Sequence, residues 1–126
     1  MIWDAKTGTK IGEHFKGHTG SIICVAFSPD SSRIVTGSVD KLAMVWDAQT
    51  GAIIGKNLKG HSIGISSLSF SPDGTMIVTG SDDRLAIIWD VKTGEIIGEP
   101  LKGHTRLITS VNFSPDGTQI VTGSED

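Results

Sequence analysis

The side chains best equipped for chemistry come in sets. His18, Thr36 and Asp40 recur as His61, Thr79 and Asp83, and again as His104, Thr122 and Asp126, each set displaced by 43 residues. An imidazole with a carboxylate and a hydroxyl is the make-up of a hydrolytic triad, in which the base takes the hydroxyl proton and the carboxylate orients the base. The repetition argues against that use, because a reaction needs one asymmetric site and each set here has two counterparts. Metal binding fits no better: the recurring histidines fall in different repeats, and no Cys or His cluster stands at ligand spacing. His14 stands alone and is expected to be solvated. Gly8, Gly51 and Gly94 end Asp-x-x-Thr-Gly turns, where glycine supplies a positive φ, and no phosphate-cradling glycine motif is present. Cys24, the one cysteine, sits in the apolar run Ile22 to Val25 and reads as a small core residue. No catalytic residue, no metal and no cofactor is expected.

The elements that must position these sets repeat with them. Trp-Asp occurs at 3–4, 46–47 and 89–90, Gly-His at 17–18, 60–61 and 103–104, Ser-Pro-Asp at 28–30, 71–73 and 114–116, and Val-Thr-Gly-Ser at 35–38, 78–81 and 121–124. Every series keeps the 43-residue spacing, and residues 1–43 and 44–86 agree at 24 of 43 positions. The repeats are 1–43, 44–86 and 87–126. Each period reads as four short strands, in the first complete case 22–28, 33–38, 42–47 and 52–58. Pro in Ser-Pro-Asp pre-sets φ for a β-turn. Two repeats follow it with Gly, whereas the first has Ser31, so that turn is expected to be slightly strained. Short strands with a turn signal every 8–12 residues, and no convincing helical periodicity, predict an all-β fold.

Gly-His, Ser-Pro-Asp-Gly, Gly-Ser-x-Asp and Trp-Asp at this spacing resemble the WD-repeat family over essentially the whole chain. The resemblance implies a β-propeller of four-stranded antiparallel blades, with each repeat staggered so that the outer strand of one blade precedes the three inner strands of the next. It also implies that His, Ser or Thr, Asp and Trp form a hydrogen-bonded chain within a blade. Carried over, the sets are His18, Thr36, Asp40 and Trp46, then His61, Thr79, Asp83 and Trp89. Ser38 and Ser81 share a strand face with Thr36 and Thr79, so either hydroxyl could join. In these sets a buried imidazole and indole satisfy one another, a structural role.

By this reading blade one spans about 22–58 and blade two about 65–101. The last blade has only strands 108–114 and 119–124, while the chain opens on a third strand at Met1–Asp4 and an outer strand at about Lys10–Phe15. Three blades are too few for a closed ring. Either two chains associate head to tail into a six-bladed ring, residues 1–15 of each completing the other's last blade, or further sequence completes it. A nine-bladed trimer is a poorer option. Ring closure of the family's kind makes Trp3 the partner of His104, Thr122 and Asp126, in trans in a homodimer.

Composition bounds the function. Hydrophobic residues are 37% and charged residues 20% of the chain, enough for a packed core. Net charge is −3 with no Lys or Arg run, so neither nucleic acid nor a membrane is the expected partner. No segment approaches bilayer-spanning length, and a lone cysteine suits a reducing, cytoplasmic setting. Positions that vary between repeats are free of skeletal duty: Gly20, Ile63 and Arg106 after Gly-His, and Val39, Asp82 and Glu125 before the recurring Asp. The resemblance puts both loops on the narrower propeller face, where Lys41 and Arg84 join them around Ile63 as an apolar anchor. The expected function is a non-catalytic scaffold that binds a protein or peptide there. The alternatives are a sensor segment of a larger signalling protein, or a carbohydrate- or small-ligand-binding propeller. The last would want repeated exposed aromatics on the loops, and tryptophan occurs only at skeletal positions.

Overall fold

The computed structural model describes residues 1–12 and 14–126. Eleven strands follow in order: β1 (Ile2–Trp3), β2 (Lys10–Ile11), β3 (Ile22–Phe27), β4 (Arg33–Ser38), β5 (Leu42–Asp47), β6 (Ile53–Lys59), β7 (Ile65–Phe70), β8 (Met76–Ser81), β9 (Ala86–Asp90), β10 (Ile108–Phe113) and β11 (Ile120–Ser124). All named pairs are antiparallel, and no helix occurs among the described residues. Blade one is the four-stranded sheet β3-β4-β5-β6, blade two is β7-β8-β9, and two-stranded sheets stand at the ends, β1-β2 and β10-β11. The propeller blades expected from the sequence are therefore present.

Two expected strands are shorter than the sequence suggests. The outer strand over 10–15 forms only at Lys10–Ile11; Glu13 lies outside the described residues. Gly12 there takes φ +69°, as does Gly55, the residue at which β6 bulges away from β5. The fourth strand of blade two is reduced to isolated bridges, Trp89 with Ile96 and Ala86 with Leu101. Pro100 stands where Asn57 stands one period earlier and has no N–H to give to a ladder.

The Ser-Pro-Asp turns explain the sharp reversals from β3 to β4, β7 to β8 and β10 to β11. In the first, the Ser28 hydroxyl donates to Asp30 at 2.6 Å and accepts the Arg33 N–H at 2.9 Å. The fourth turn residue is left-handed in each case: Ser31 at φ +63°, Gly74 at +73° and Gly117 at +74°. Only the first carries a Cβ, so the strain expected at Ser31 is present, on the order of 1 kcal/mol.

Blades stack face to face through apolar strands. Val35, Ala43, Val45 and Leu58 of blade one meet Ile65, Phe70, Ile77, Ile87 and Trp89 of blade two in one buried cluster. A second cluster joins Val78 and Ala86 to Ile108 and Val111 of the last sheet. At the other end Ile34, Met44 and Trp46 take Ile2 and Phe15 of the N-terminal segment. This stacking is the main stabilising term, since buried apolar area contributes about 25 cal/mol per Å².

Candidate functional site

The recurring His, Thr, Asp and Trp side chains converge in each complete blade. His18 Nδ1 lies 2.9 Å from Asp40 Oδ2, His18 Nε2 lies 2.6 Å from Thr36 Oγ1, and the Trp46 indole donates to the same hydroxyl at 2.8 Å. Blade two repeats the set at 2.9, 2.8 and 2.9 Å through Asp83, His61, Thr79 and Trp89. The indole can only donate, so the threonine oxygen accepts from it, and the ionised carboxylate accepts from His Nδ1–H. Threonine, not serine, is the shared hydroxyl. Ser38 and Ser81 instead accept the N–H of Asp40 and Asp83, both at 3.1 Å, and hold the turn that presents the carboxylate.

The carboxylate also fixes the loop beyond Gly-His. Asp40 accepts the N–H of Thr19 and Asp83 that of Ser62, both at 3.0 Å. Burial opposes the charge on Asp40 and Asp83, yet the bonds from His18 or His61 and from these backbone N–H groups outweigh it, and both carboxyls titrate below the ordinary range.

As chemistry, this is the order of a triad: carboxylate, imidazole, hydroxyl. Thr36 and Thr79 are buried, and each hydroxyl is engaged by both an indole and an imidazole. Cys24 is no better a nucleophile: burial pushes its thiol up to about 11, against a smaller opposing effect of a Gly37 backbone hydrogen bond.

The third set assembles without an indole. His104 Nε2 lies 2.8 Å from Thr122 Oγ1, and Asp126 accepts from His104 Nδ1 at 3.0 Å and from the Thr105 N–H at 2.7 Å. Trp3 is not part of it within the one chain; its side chain is 57% exposed beside blade one.

Sequence reasoning missed why glycine precedes each histidine. A Cβ on Gly17 would come within 2.8 Å of the Trp46 ring, and one on Gly60 within 2.9 Å of the Trp89 ring. The invariance of Gly with Trp across the period was the available signal. Over Gly103 there is open space.

The varying loop residues meet at one end of the blades. A Cβ on Gly20 would approach the Val39 side chain to 2.7 Å, so Gly20 offers no side chain of its own and one there would require Val39 to shift. Gly64, next to Ile63, packs on the Val39 backbone, which joins the loops of blades one and two. Val39 and Ile63 are 50% and 48% exposed. Arg106 and Glu125 pair at 3.5 Å, and Asp82 is exposed with its N–H bonded to the Gly64 carbonyl. Lys41 and Arg84 adopt φ +75° and +73°, a left-handed geometry that the sequence reading did not anticipate for such side chains.

The WD domain, G-beta repeat family model matches residues 8–47, 53–90 and 94–126. An uncharacterized WD repeat-containing protein of Schizosaccharomyces pombe is 47% identical over 38 residues, which is 30% of this chain and 9% of that protein. The chain thus spans a small fraction of the length of that relative. WD repeats are in general non-catalytic scaffolds for protein interaction. With three repeats matched in the family's own register and two complete His–Thr–Asp–Trp constellations holding the blades, this chain belongs to the WD-repeat family.

Proposed function

We propose that the chain is a non-catalytic scaffold that binds a protein or peptide across the loop end of its blades, in a cytoplasmic setting. The observation that carries this reading is the convergence of the positions that vary between repeats. Val39 and Ile63 form an exposed apolar centre bridged by Gly64, and Lys41, Arg84, Asp82 and the Arg106–Glu125 pair surround it. Apolar centre and charged rim are the anatomy of a recognition patch. The constellations beneath hold both loops through Asp40 and Asp83, so the patch is preorganised and little ordering entropy is lost on binding. A net charge of −3 gives no support to nucleic acid or an anionic membrane as partner.

The test is a displayed peptide library selected on the folded chain, with binding mapped by amide chemical shifts. Shifts confined to residues 19–20, 39–41, 62–64, 82–84 and 105–106, and binders lost on Ile63→Asp, are the expected result. Binders indifferent to Ile63→Asp and Arg84→Glu would overturn the reading.

A further inference from the structure

The antiparallel order of the strands sorts charge between the two ends of the blades. The turns from β3 to β4 and from β5 to β6, with their counterparts in the other repeats, lie at one end. The turn from β4 to β5 and the run from β6 to β7 lie at the other, the loop end. Asp4, Asp30, Asp47, Asp73, Asp90 and Asp116 all stand at turns of the first kind, whereas Lys16, Lys41, Lys59, Arg84, Lys102 and Arg106 stand at the loop end. The acids of the loop end are mostly engaged. The Asp40 and Asp83 side chains are 7% and 5% exposed and accept from a histidine and two backbone N–H groups each. Asp126 accepts from His104 and Thr105, and Glu125 pairs with Arg106, which leaves Asp82 exposed.

The free cations of this end come in pairs that repeat with the period. Lys59 lies opposite Leu42 in the β5–β6 ladder, beside the Lys41 position. The bridge of Ala86 with Leu101 sets Lys102 beside Arg84 in the same way. All of these residues are exposed, and none has a carboxylate within ion-pair distance among the described residues. Lys41, Lys59 and Asn57 line an open cleft of about 600 Å³ that reaches down to His61. Lys41 and Arg84 take φ +75° and +73°, where glycine would be free of strain, so each blade holds its cation at a backbone cost that no ion pair offsets.

We propose that these pairs take the carboxylates of an acidic segment of the protein partner, a run containing Asp or Glu that crosses from blade one to blade two over Val39 and Ile63. The assignment rests on the loop-face reading above and names the chemistry of its partner. Separated carboxylates meet Lys41 and Lys59 on one blade and Arg84 and Lys102 on the next. The aspartates at the far end repel the same segment, so only the loop end attracts it. Carboxylates suit the site better than phosphate. Three of the four cations are ammonium groups on flexible stems rather than guanidinium forks. The Thr19 and Ser62 N–H groups that could cradle a phosphate already go to Asp40 and Asp83. Nucleic acid would want aromatic faces for its bases, and the exposed Trp3 and Phe27 adjoin turns at the aspartate end.

Fluorescence anisotropy with a labelled peptide of Glu-Ser-Leu repeats tests it, beside the same peptide with Gln for Glu, one with phosphoserine for Glu, and a short DNA duplex. The Glu peptide is expected to bind at least about tenfold more tightly than the Gln peptide, and to weaken as salt is raised. Lys41→Glu with Lys59→Glu is expected to weaken it about tenfold or more. Lys6→Glu with Lys92→Glu, the same change of charge at the aspartate end, leaves it unchanged. Lys41→Gly with Arg84→Gly removes the cations without threatening the fold, because glycine suits both φ values: the melting temperature rises while the Glu peptide still weakens. Equal losses from the two charge reversals, a Gln peptide bound as well as the Glu peptide, or tighter binding of the phosphoserine peptide or of DNA would overturn the assignment. Displayed binders lost on Ile63→Asp but indifferent to the lysine reversals would overturn the acidic chemistry and leave the loop patch standing. Binders indifferent to both would overturn the patch as well.

Discussion

His61 and His104 make the same hydrogen bonds and live in different surroundings. Each spans an aspartate and a threonine at 2.8–3.1 Å. The His61 side chain has 0% exposure and its set includes Trp89; the His104 side chain is 27% exposed and its set has no indole within the chain. The contrast separates two causes. The Asp–His–Thr geometry is set by one hairpin and the loop before it, because β10 and β11 suffice to form it. Burial comes from a third strand that lays tryptophan over Gly-His. Only with that strand do the polar groups leave water, and only then does losing one strand its neighbour.

Substitutions can sharpen or break this contrast. The largest effect is expected from Trp89→Ala, which empties the core between blades one and two: about 3–5 kcal/mol in urea unfolding. Trp3→Ala is expected to change the stability of the single chain by less than about 0.5 kcal/mol. Thr79→Val leaves the Trp89 indole without its acceptor and His61 Nε2 without its partner; the expected loss is about 1–3 kcal/mol. For Thr122→Val, with water at hand and no indole to satisfy, a loss below about 1 kcal/mol is expected. Equal losses at Thr79 and Thr122 would break the contrast.

Acid probes the aspartates. Hydroxyl donation from Ser28, Ser71 and Ser114, followed by backbone N–H and further hydroxyl bonds, brings Asp30, Asp73 and Asp116 down to about 2. Asp83 and Asp126 are also lowered. These groups bind protons less readily folded than unfolded. Their contribution is therefore complete above the unfolded carboxylate value of about 4 and is lost as pH falls toward 2. Thermal melts are expected to fall steeply below pH 4, with a shallower fall in Asp73→Asn. A fall below pH 4 that is the same in Asp73→Asn would contradict this assignment. The smallest effect is expected at the first Ser-Pro-Asp turn: Ser31→Gly removes the Cβ from a φ of +63° and raises stability by under about 1 kcal/mol in calorimetry.

The 43-residue period made most of this legible. Strand positions, the antiparallel order and the members of each constellation follow from motifs that repeat in step. What escaped the sequence depends on geometry rather than periodicity. Thr36 and Ser38 lie two residues apart on one face, and only the indole direction decides which hydroxyl is shared. The outer strand of blade two is reduced to isolated bridges over a segment that largely repeats that of blade one, with Glu99 for Lys56 and Pro100 for Asn57. That a Cβ at the variable position Gly20 would meet the Val39 side chain depends on the packing of the two loops. The left-handed turns at Lys41 and Arg84 carry no glycine to announce them; Asp40 and Asp83 hold them by accepting the N–H of Leu42 and Leu85, both at 3.0 Å.

Amide hydrogen exchange at Thr19, Ser62 and Thr105 tests the central claim most directly, since each N–H is held by the aspartate of its own constellation. Thr19 and Ser62 are expected to exchange only with unfolding of their blades, and Thr105 at least about tenfold faster, through local opening. If Thr105 exchanged as slowly as Ser62, the covering strand and its tryptophan would not be what locks the loop, and the account would fail.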